Sequence, residues 1–129
     1  MSKLDPLRQA VAVSPTNVPL LLLLAQACLD EWSLEEARGA YEKVLALEPG
    51  RVEARLGVAR LLHLDGKISE AVVRVESIVA ENPKDVPALI LLSRLYLGEG
   101  NRAAARSYYE QAMSLQPSSK DAALERELY

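Results

Sequence analysis

The chain has one cysteine, one histidine, one tryptophan and no phenylalanine among 129 residues, and cysteine and histidine are frequent nucleophiles and acid–base groups in enzymes. A single cysteine excludes an internal disulfide, which fits a reducing compartment and predicts a cytoplasmic protein. We expect Cys28 to be a small buried side chain, and His63 alone offers no cluster for a metal or for histidine-based catalysis. The sequence therefore predicts no enzyme, no metal site and no cofactor.

An excess of positive charge is also missing. Lys and Arg number 15 against 18 for Asp and Glu, which gives a formal net charge of -3. Binding to nucleic acid requires a concentrated basic face. We therefore expect no nucleic-acid partner.

What the chain has instead is a period of 34 residues. Four prolines keep this period: Pro15, Pro49, Pro83 and Pro117. Three alanines keep it as well: Ala37, Ala71 and Ala105. A fixed period of this size is typical of stacked structural repeats. Because repeat proteins work by presenting a surface, partner-facing positions matter more here than catalytic ones.

One apolar run, Leu20–Leu24, needs a separate explanation. Followed by Ala25 to Cys28, it resembles a secretory signal with a small-residue cleavage site. The run is short for a membrane span and begins after a long, weakly basic leader. It also lies in register with the apolar segments 56–62 and 89–96, one and two periods later. We therefore interpret it as part of a repeat helix and predict no membrane association.

Each repeat is predicted to contain two helices, because apolar residues recur at three- and four-residue steps. The first helices are predicted at 18–30, 52–64 and 86–98, and the second helices at 34–47, 68–81 and 102–115. Asn17 and Asp85 are predicted to cap the helices that follow them. Ser33 followed by Glu36 predicts a capping box.

The repeats account for nearly the whole chain, which we predict to be a single domain over residues 1–129. An N-terminal half-repeat helix is predicted at 5–13. Repeats one, two and three are predicted at 18–51, 52–85 and 86–119, and a C-terminal capping helix at 120–129. Arg126 and Glu127 occupy positions of that last helix that are otherwise apolar or small, which suits a solvated end.

The 34-residue unit resembles the tetratricopeptide repeat (TPR). The family pattern has a large residue, Leu-Gly/Ala and an aromatic residue on the first helix, then Ala, an aromatic residue and Ala on the second, and a closing proline. Repeat three carries it as Leu89, Leu92-Ser93, Tyr96, Ala105, Tyr109, Ala112 and Pro117. The resemblance implies an all-α fold, a right-handed superhelical solenoid of antiparallel helix pairs, in which these residues form the core. The Leu-Asp-Pro-Leu-Arg opening also resembles bacterial TPR segments attached to AAA-type ATPases.

The resemblance places a partner-binding groove on the first helices, which line the concave surface in this family. The implied groove residues are Leu22, Leu23, Gln26, Leu56, Arg60, His63, Ile90, Leu91 and Arg94. Leu22, Leu56 and Ile90 are expected to form an apolar stripe, and Gln26, Arg60 and Arg94 a polar ladder beside it. Such a groove suits an amphipathic helix, or an extended peptide with a nearby carboxylate. The alternative is that the stripe packs against a neighbouring helix of this chain or of a second copy.

Trp32 occupies the turn between the paired helices of repeat one, where the other repeats have Gly66 and Gly100. A tryptophan exposed at a turn could anchor a partner, which makes Trp32 a possible secondary contact. It could equally fold back over the helix ends and be half-buried. We favour the second interpretation.

Two functional hypotheses follow from this sequence. The first is a non-enzymatic adaptor that binds a peptide or amphipathic helix of a partner protein in its concave groove, as a module of a larger machine. The second is a structural scaffold whose groove or end helices mediate self-association, with a homodimer as the simplest product.

Overall fold

The computed structural model describes residues 3–129, and this part of the chain forms eight α-helices, one short 3-10 helix and no strand. The α-helices are α1 Asp5–Val13, α2 Val18–Asp30, α3 Leu34–Leu47, α4 Val52–Leu64, α5 Ile68–Glu81, α6 Val86–Gly98, α7 Arg102–Leu115 and α8 Ala122–Leu128. The bounds predicted for α1 to α7 are confirmed. The last helix begins later than predicted because the 3-10 helix Pro117–Ser119 precedes it.

Side-chain caps and left-handed turns set the helix ends. Asn17 and Asp85 each accept a hydrogen bond from the backbone N–H three residues on, at 3.1 and 3.0 Å, so both predicted N-caps are confirmed. Gly66 and Gly100 have φ of +80° and +81°. Glycine adopts this conformation without a steric penalty, which is why it ends the first helix of repeats two and three.

The predicted capping box at Ser33 does not form. The Ser33 side chain accepts no backbone N–H, and its hydroxyl lies 3.3 Å from the Glu36 carboxylate instead. The prediction was wrong because Arg8 of α1 binds that carboxylate through Nε and Nη2, each at 2.7 Å. These charge-assisted bonds lower the pKa of Glu36 and tie α1 to α3.

The chain forms two compact units, Met1–Leu61 and Leu62–Tyr129. We call them the N-terminal unit and the C-terminal unit. The prediction of a single domain over 1–129 stays a prediction.

In the N-terminal unit α1 packs on α2, and α2 pairs with α3. Three-residue turns connect paired helices, so the pairs are antiparallel. The core includes Leu21, Leu24, Ala25, Cys28, Ala37, Tyr41, Val44, Ala54 and Leu61. Alanines at fully buried positions let the helices approach closely. Burial raises the pKa of the Cys28 thiol to about 11, so the thiol stays protonated at neutral pH, as expected for a core residue.

Gly57 in the middle of α4 is explained by the ring of Tyr41. A Cβ atom at Gly57 would lie 2.2 Å from Tyr41 Cζ, far inside van der Waals contact. Glycine in a helix interior costs about 1 kcal/mol relative to alanine. The close approach of the buried Tyr41 ring requires it here, and the repeat pattern alone did not predict this contact.

In the C-terminal unit α5 and α7 pack on α6, and α8 packs on α7. Leu124 and Leu128 bury the inner side of α8, while Arg126 and Glu127 are exposed, as expected for a solvated end. The Tyr109 hydroxyl fixes the segment before α8, because it donates to Glu125 at 2.5 Å and accepts the Asp121 N–H at 3.0 Å. None of the helices formed by residues 3–129 has both the length and the apolar character needed to cross a membrane.

Candidate partner-binding surfaces

The exposed side of α2 is the first candidate surface of the N-terminal unit. Leu23 is 57% exposed and Gln26 is exposed, whereas Leu22 is half-buried against the core. Gln26 Nε2 donates a hydrogen bond to Asp30 Oδ1 at 3.1 Å. Residues 23, 26 and 30 share one helix face by their spacing. This face therefore presents a large apolar side chain beside an amide–carboxylate pair.

Leu56 on α4 does not extend that surface, because it is only 4% exposed. The expected apolar stripe is therefore not open at its middle position. Other buried residues of α4, such as Ala54 and Ala59, point to different sides of the helix, so α4 is covered on more than one side. Exposure is confined to a narrow strip that includes Glu53, with Arg60 half-buried on the same side.

Arg60 is a cation of the N-terminal unit that is available to a partner. Within residues 3–129 it makes no ion pair and no side-chain hydrogen bond. Its charge and that of Asp30 both act on the Tyr41 hydroxyl: burial raises the pKa of Tyr41, Arg60 opposes this rise, and Asp30 adds to it. The charges of Asp30, at the end of α2, and of Arg60, on the exposed strip of α4, therefore both lie close enough to the Tyr41 hydroxyl to affect its pKa.

In the C-terminal unit the apolar residues of the predicted groove are at least half-buried. Leu91 is 5% exposed, and Ile90 is half-buried against the core to which α8 contributes. His63 is half-buried at the end of α4, and its Nε2 lies 3.9 Å from the place of a Cβ on Gly98. Of the expected stripe, α6 contributes Ile90, which is half-buried as Leu22 is on α2.

Arg94 is occupied by an ion pair with Asp121. The same aspartate caps α8, accepting the Leu124 N–H at 3.0 Å. Since Gln26 bonds to Asp30, Arg60 is the one member of the expected polar ladder with no partner among residues 3–129. Sequence reasoning missed Asp121, although an aspartate directly before a short helix is a typical N-cap.

Trp32 differs from the favoured interpretation. Its side chain is 69% exposed rather than folded over the helix ends, and its φ is +60°. A positive φ is rare for a bulky residue. The left-handed backbone at Trp32 sets the direction of its Cα–Cβ bond, and with that backbone the indole is exposed and does not cover the helix ends.

Family models match two segments of the chain. Each is a model of the tetratricopeptide repeat, one at residues 29–95 and the other at residues 86–119. Human protein O-mannosyl-transferase TMTC1 is 33% identical over 95 residues, which is 74% of this chain and 10% of that protein. Cellulose synthase operon protein C of Pseudomonas fluorescens (strain SBW25) is 26% identical over 121 residues, 88% of this chain and 10% of that protein. The chain spans about a tenth of the length of these curated relatives.

Solved structures match across nearly the whole chain. A thermophilic TPR protein of Thermus thermophilus aligns with a TM-score of 0.81 over 97% of this chain and 69% of its own, at 18% identity. MamA from Desulfovibrio magneticus RS-1 aligns with a TM-score of 0.73 over 97% of this chain and 70% of its own, at 22% identity. These likenesses confirm the all-α repeat-solenoid fold class, and with the family models they establish that the chain belongs to the tetratricopeptide repeat family.

Proposed function

We propose that the chain is a non-enzymatic adaptor that binds a peptide or amphipathic helix of a partner protein. The observation that carries this proposal is the unpaired Arg60, in the same unit as the exposed Leu23. An exposed apolar side chain and an unpaired arginine on one unit suit a helix or peptide that offers one apolar anchor and a carboxylate. A half-buried arginine recognises a carboxylate better than a fully solvated one, because it is less screened by water.

A quantitative pull-down tests the proposal. The baits are the native chain and a variant carrying Leu23→Asp and Arg60→Glu. We expect the native chain to retain a partner that the variant loses, because the variant removes the apolar anchor and reverses the charge. Binding of the purified partner to both baits is then measured by calorimetry.

The matched control carries Val73→Asp and Arg74→Glu on α5, where Val73 is 67% exposed. It makes the same chemical changes on the other unit. All baits must first give the same helical circular dichroism spectrum. If the two variants lose the same partners, or neither loses any, the proposed surface on α2 and α4 is wrong.

Self-association is the alternative that uses the same exposed side chains. Leu23 and Val13 are large apolar residues on the N-terminal unit that a second copy could cover. Light scattering over a wide concentration range separates the alternatives: a mass that doubles and returns to one copy in the Leu23→Asp variant supports a homodimer, and a constant monomer mass supports the adaptor.

The setting of this module is also part of the proposal. Because the chain spans about a tenth of its curated relatives, we propose that it works as a segment of a larger machine. Attachment to an AAA-type ATPase is one version of that proposal, and it rests on the resemblance of the Leu-Asp-Pro-Leu-Arg segment alone. A cytoplasmic location and the absence of nucleic-acid and membrane partners stay predictions from composition.

A further inference from the structure

Trp32 is not required by the turn in which it lies. The three turns between paired helices are closed by equivalent backbone bonds, donated by the N–H of residues 33, 67 and 101 to the C=O of residues 28, 62 and 96, at 2.8, 2.8 and 2.9 Å. Two of these turns are built with Gly66 and Gly100. Glycine therefore satisfies this backbone geometry, and tryptophan is the strained choice.

The indole of Trp32 also contributes little to the stability of the fold. It is 69% exposed, and its Nε1 makes no hydrogen bond with any residue from 3 to 129. A large aromatic side chain held in solvent on a strained backbone is unfavourable in the isolated molecule. Such outliers point to function, and tryptophan is the residue most enriched at the energetic centre of protein interfaces.

The charges next to Trp32 in the sequence are mainly acidic. Glu31 and Glu35 are both exposed, whereas the carboxylate of Asp30 accepts the hydrogen bond from Gln26 on the exposed side of α2. Lys3 pairs with Glu31 at 3.8 Å and Arg38 with Glu35 at 3.5 Å. Both contacts are long and both glutamates are exposed, so solvent and salt weaken the two pairs. Glu36 does not belong to this group, because its carboxylate is bound by Arg8.

We propose that Trp32 with Glu31 and Glu35, which we call the Trp32 surface, binds an arginine-bearing segment of a partner protein. The face of an indole attracts cations, and a guanidinium group stacks flat on it better than an ammonium group does. The flanking carboxylates favour the same charge. This surface needs neither Leu23 nor Arg60, so it is separate from the surface on α2 and α4 proposed above.

Fluorescence tests the proposal directly, because Trp32 is the only tryptophan. The full chain is titrated with a short blocked peptide of alternating arginine and alanine, with alanine–lysine and alanine–glutamate peptides as matched probes. We expect the arginine peptide to shift the emission to shorter wavelength and to protect the indole from acrylamide. The lysine peptide should act more weakly, and the glutamate peptide should have no effect.

Two variants that keep the indole locate the effect. Glu31→Gln with Glu35→Gln should raise the apparent Kd for the arginine peptide by about threefold to tenfold, as expected for the loss of exposed charge pairs. Arg60→Glu should leave the titration unchanged. The proposal is overturned if the arginine peptide gives no protection, if the glutamate peptide protects equally, or if Arg60→Glu alone changes the response.

Discussion

The two units carry the same repeat pattern but differ in the pairing and exposure of side chains at equivalent positions. Arg60 of the N-terminal unit has no partner among the described residues, while Arg94, one period later, is paired with Asp121. Leu23 is 57% exposed, while Leu91, two periods later, is 5% exposed. A repeat position therefore does not by itself define a binding residue, because the element packed beside it decides whether the side chain remains available.

The turns between paired helices show a similar contrast. The turn of the N-terminal unit exposes Trp32, whereas both turns of the C-terminal unit have glycine with a comparable φ. The backbone is alike and only the side chain differs. Both contrasts direct the search for a partner to the N-terminal unit.

The largest effect is expected from Gly57→Ala, which would disrupt the N-terminal unit at its centre. The new methyl group would lie 2.2 Å from Tyr41 Cζ, so the buried ring must move. Overpacking of this kind costs about 1–3 kcal/mol of unfolding free energy. Urea unfolding followed by circular dichroism measures it.

Gly39→Ala on α3 is the matched control, since a Cβ there meets nothing within 4 Å. We expect it to stabilise the protein by about 0.5–1 kcal/mol. Adding Tyr41→Leu to Gly57→Ala should cost less than the sum of the two single changes. Equal effects of the two alanine substitutions would show that the ring does not constrain Gly57.

The repeat period and its caps were enough to predict most of the fold. Helices α1 to α7 have the predicted bounds because Asn17, Asp85 and the turn glycines act through local backbone chemistry, which is independent of distant contacts. The C-terminal helix was predicted too long because the backbone between Pro117 and Asp121 turns before the cap forms.

The candidate site was less predictable, because its residues depend on tertiary neighbours. Spacing places Arg94 on the first helix of repeat three, but the packing of α8 places Asp121 where it forms an ion pair with Arg94. Spacing also places Leu56 on the predicted groove face of α4, yet Leu56 is buried because that helix is covered on more than one side. The exposure of Trp32 depends on a φ value that no residue pattern specifies.

A smaller effect is expected from Asp121→Ala, which would make the C-terminal unit more like the N-terminal one. The change removes the cap of α8 and frees Arg94. Loss of an N-cap costs about 1 kcal/mol, so amide hydrogen exchange within α8 should become faster. Asp121→Asn is the control, because its amide oxygen can still cap the helix while the charge is lost. Unchanged exchange in Asp121→Ala would mean that packing of Leu124 and Leu128 alone holds α8.

The smallest change in stability is expected from Trp32→Gly, and its sign is the informative part. Relief of the left-handed strain, which is about 1–2 kcal/mol for a residue with a side chain, is partly offset by the greater freedom of glycine in the unfolded chain. We therefore expect the free energy of unfolding to stay constant or to rise by up to about 1 kcal/mol. Gly100→Ala should do the opposite and lose about 1 kcal/mol. A clear loss of stability in Trp32→Gly would show that the indole supports the fold, and would remove the reason to regard its exposure as a feature selected for binding.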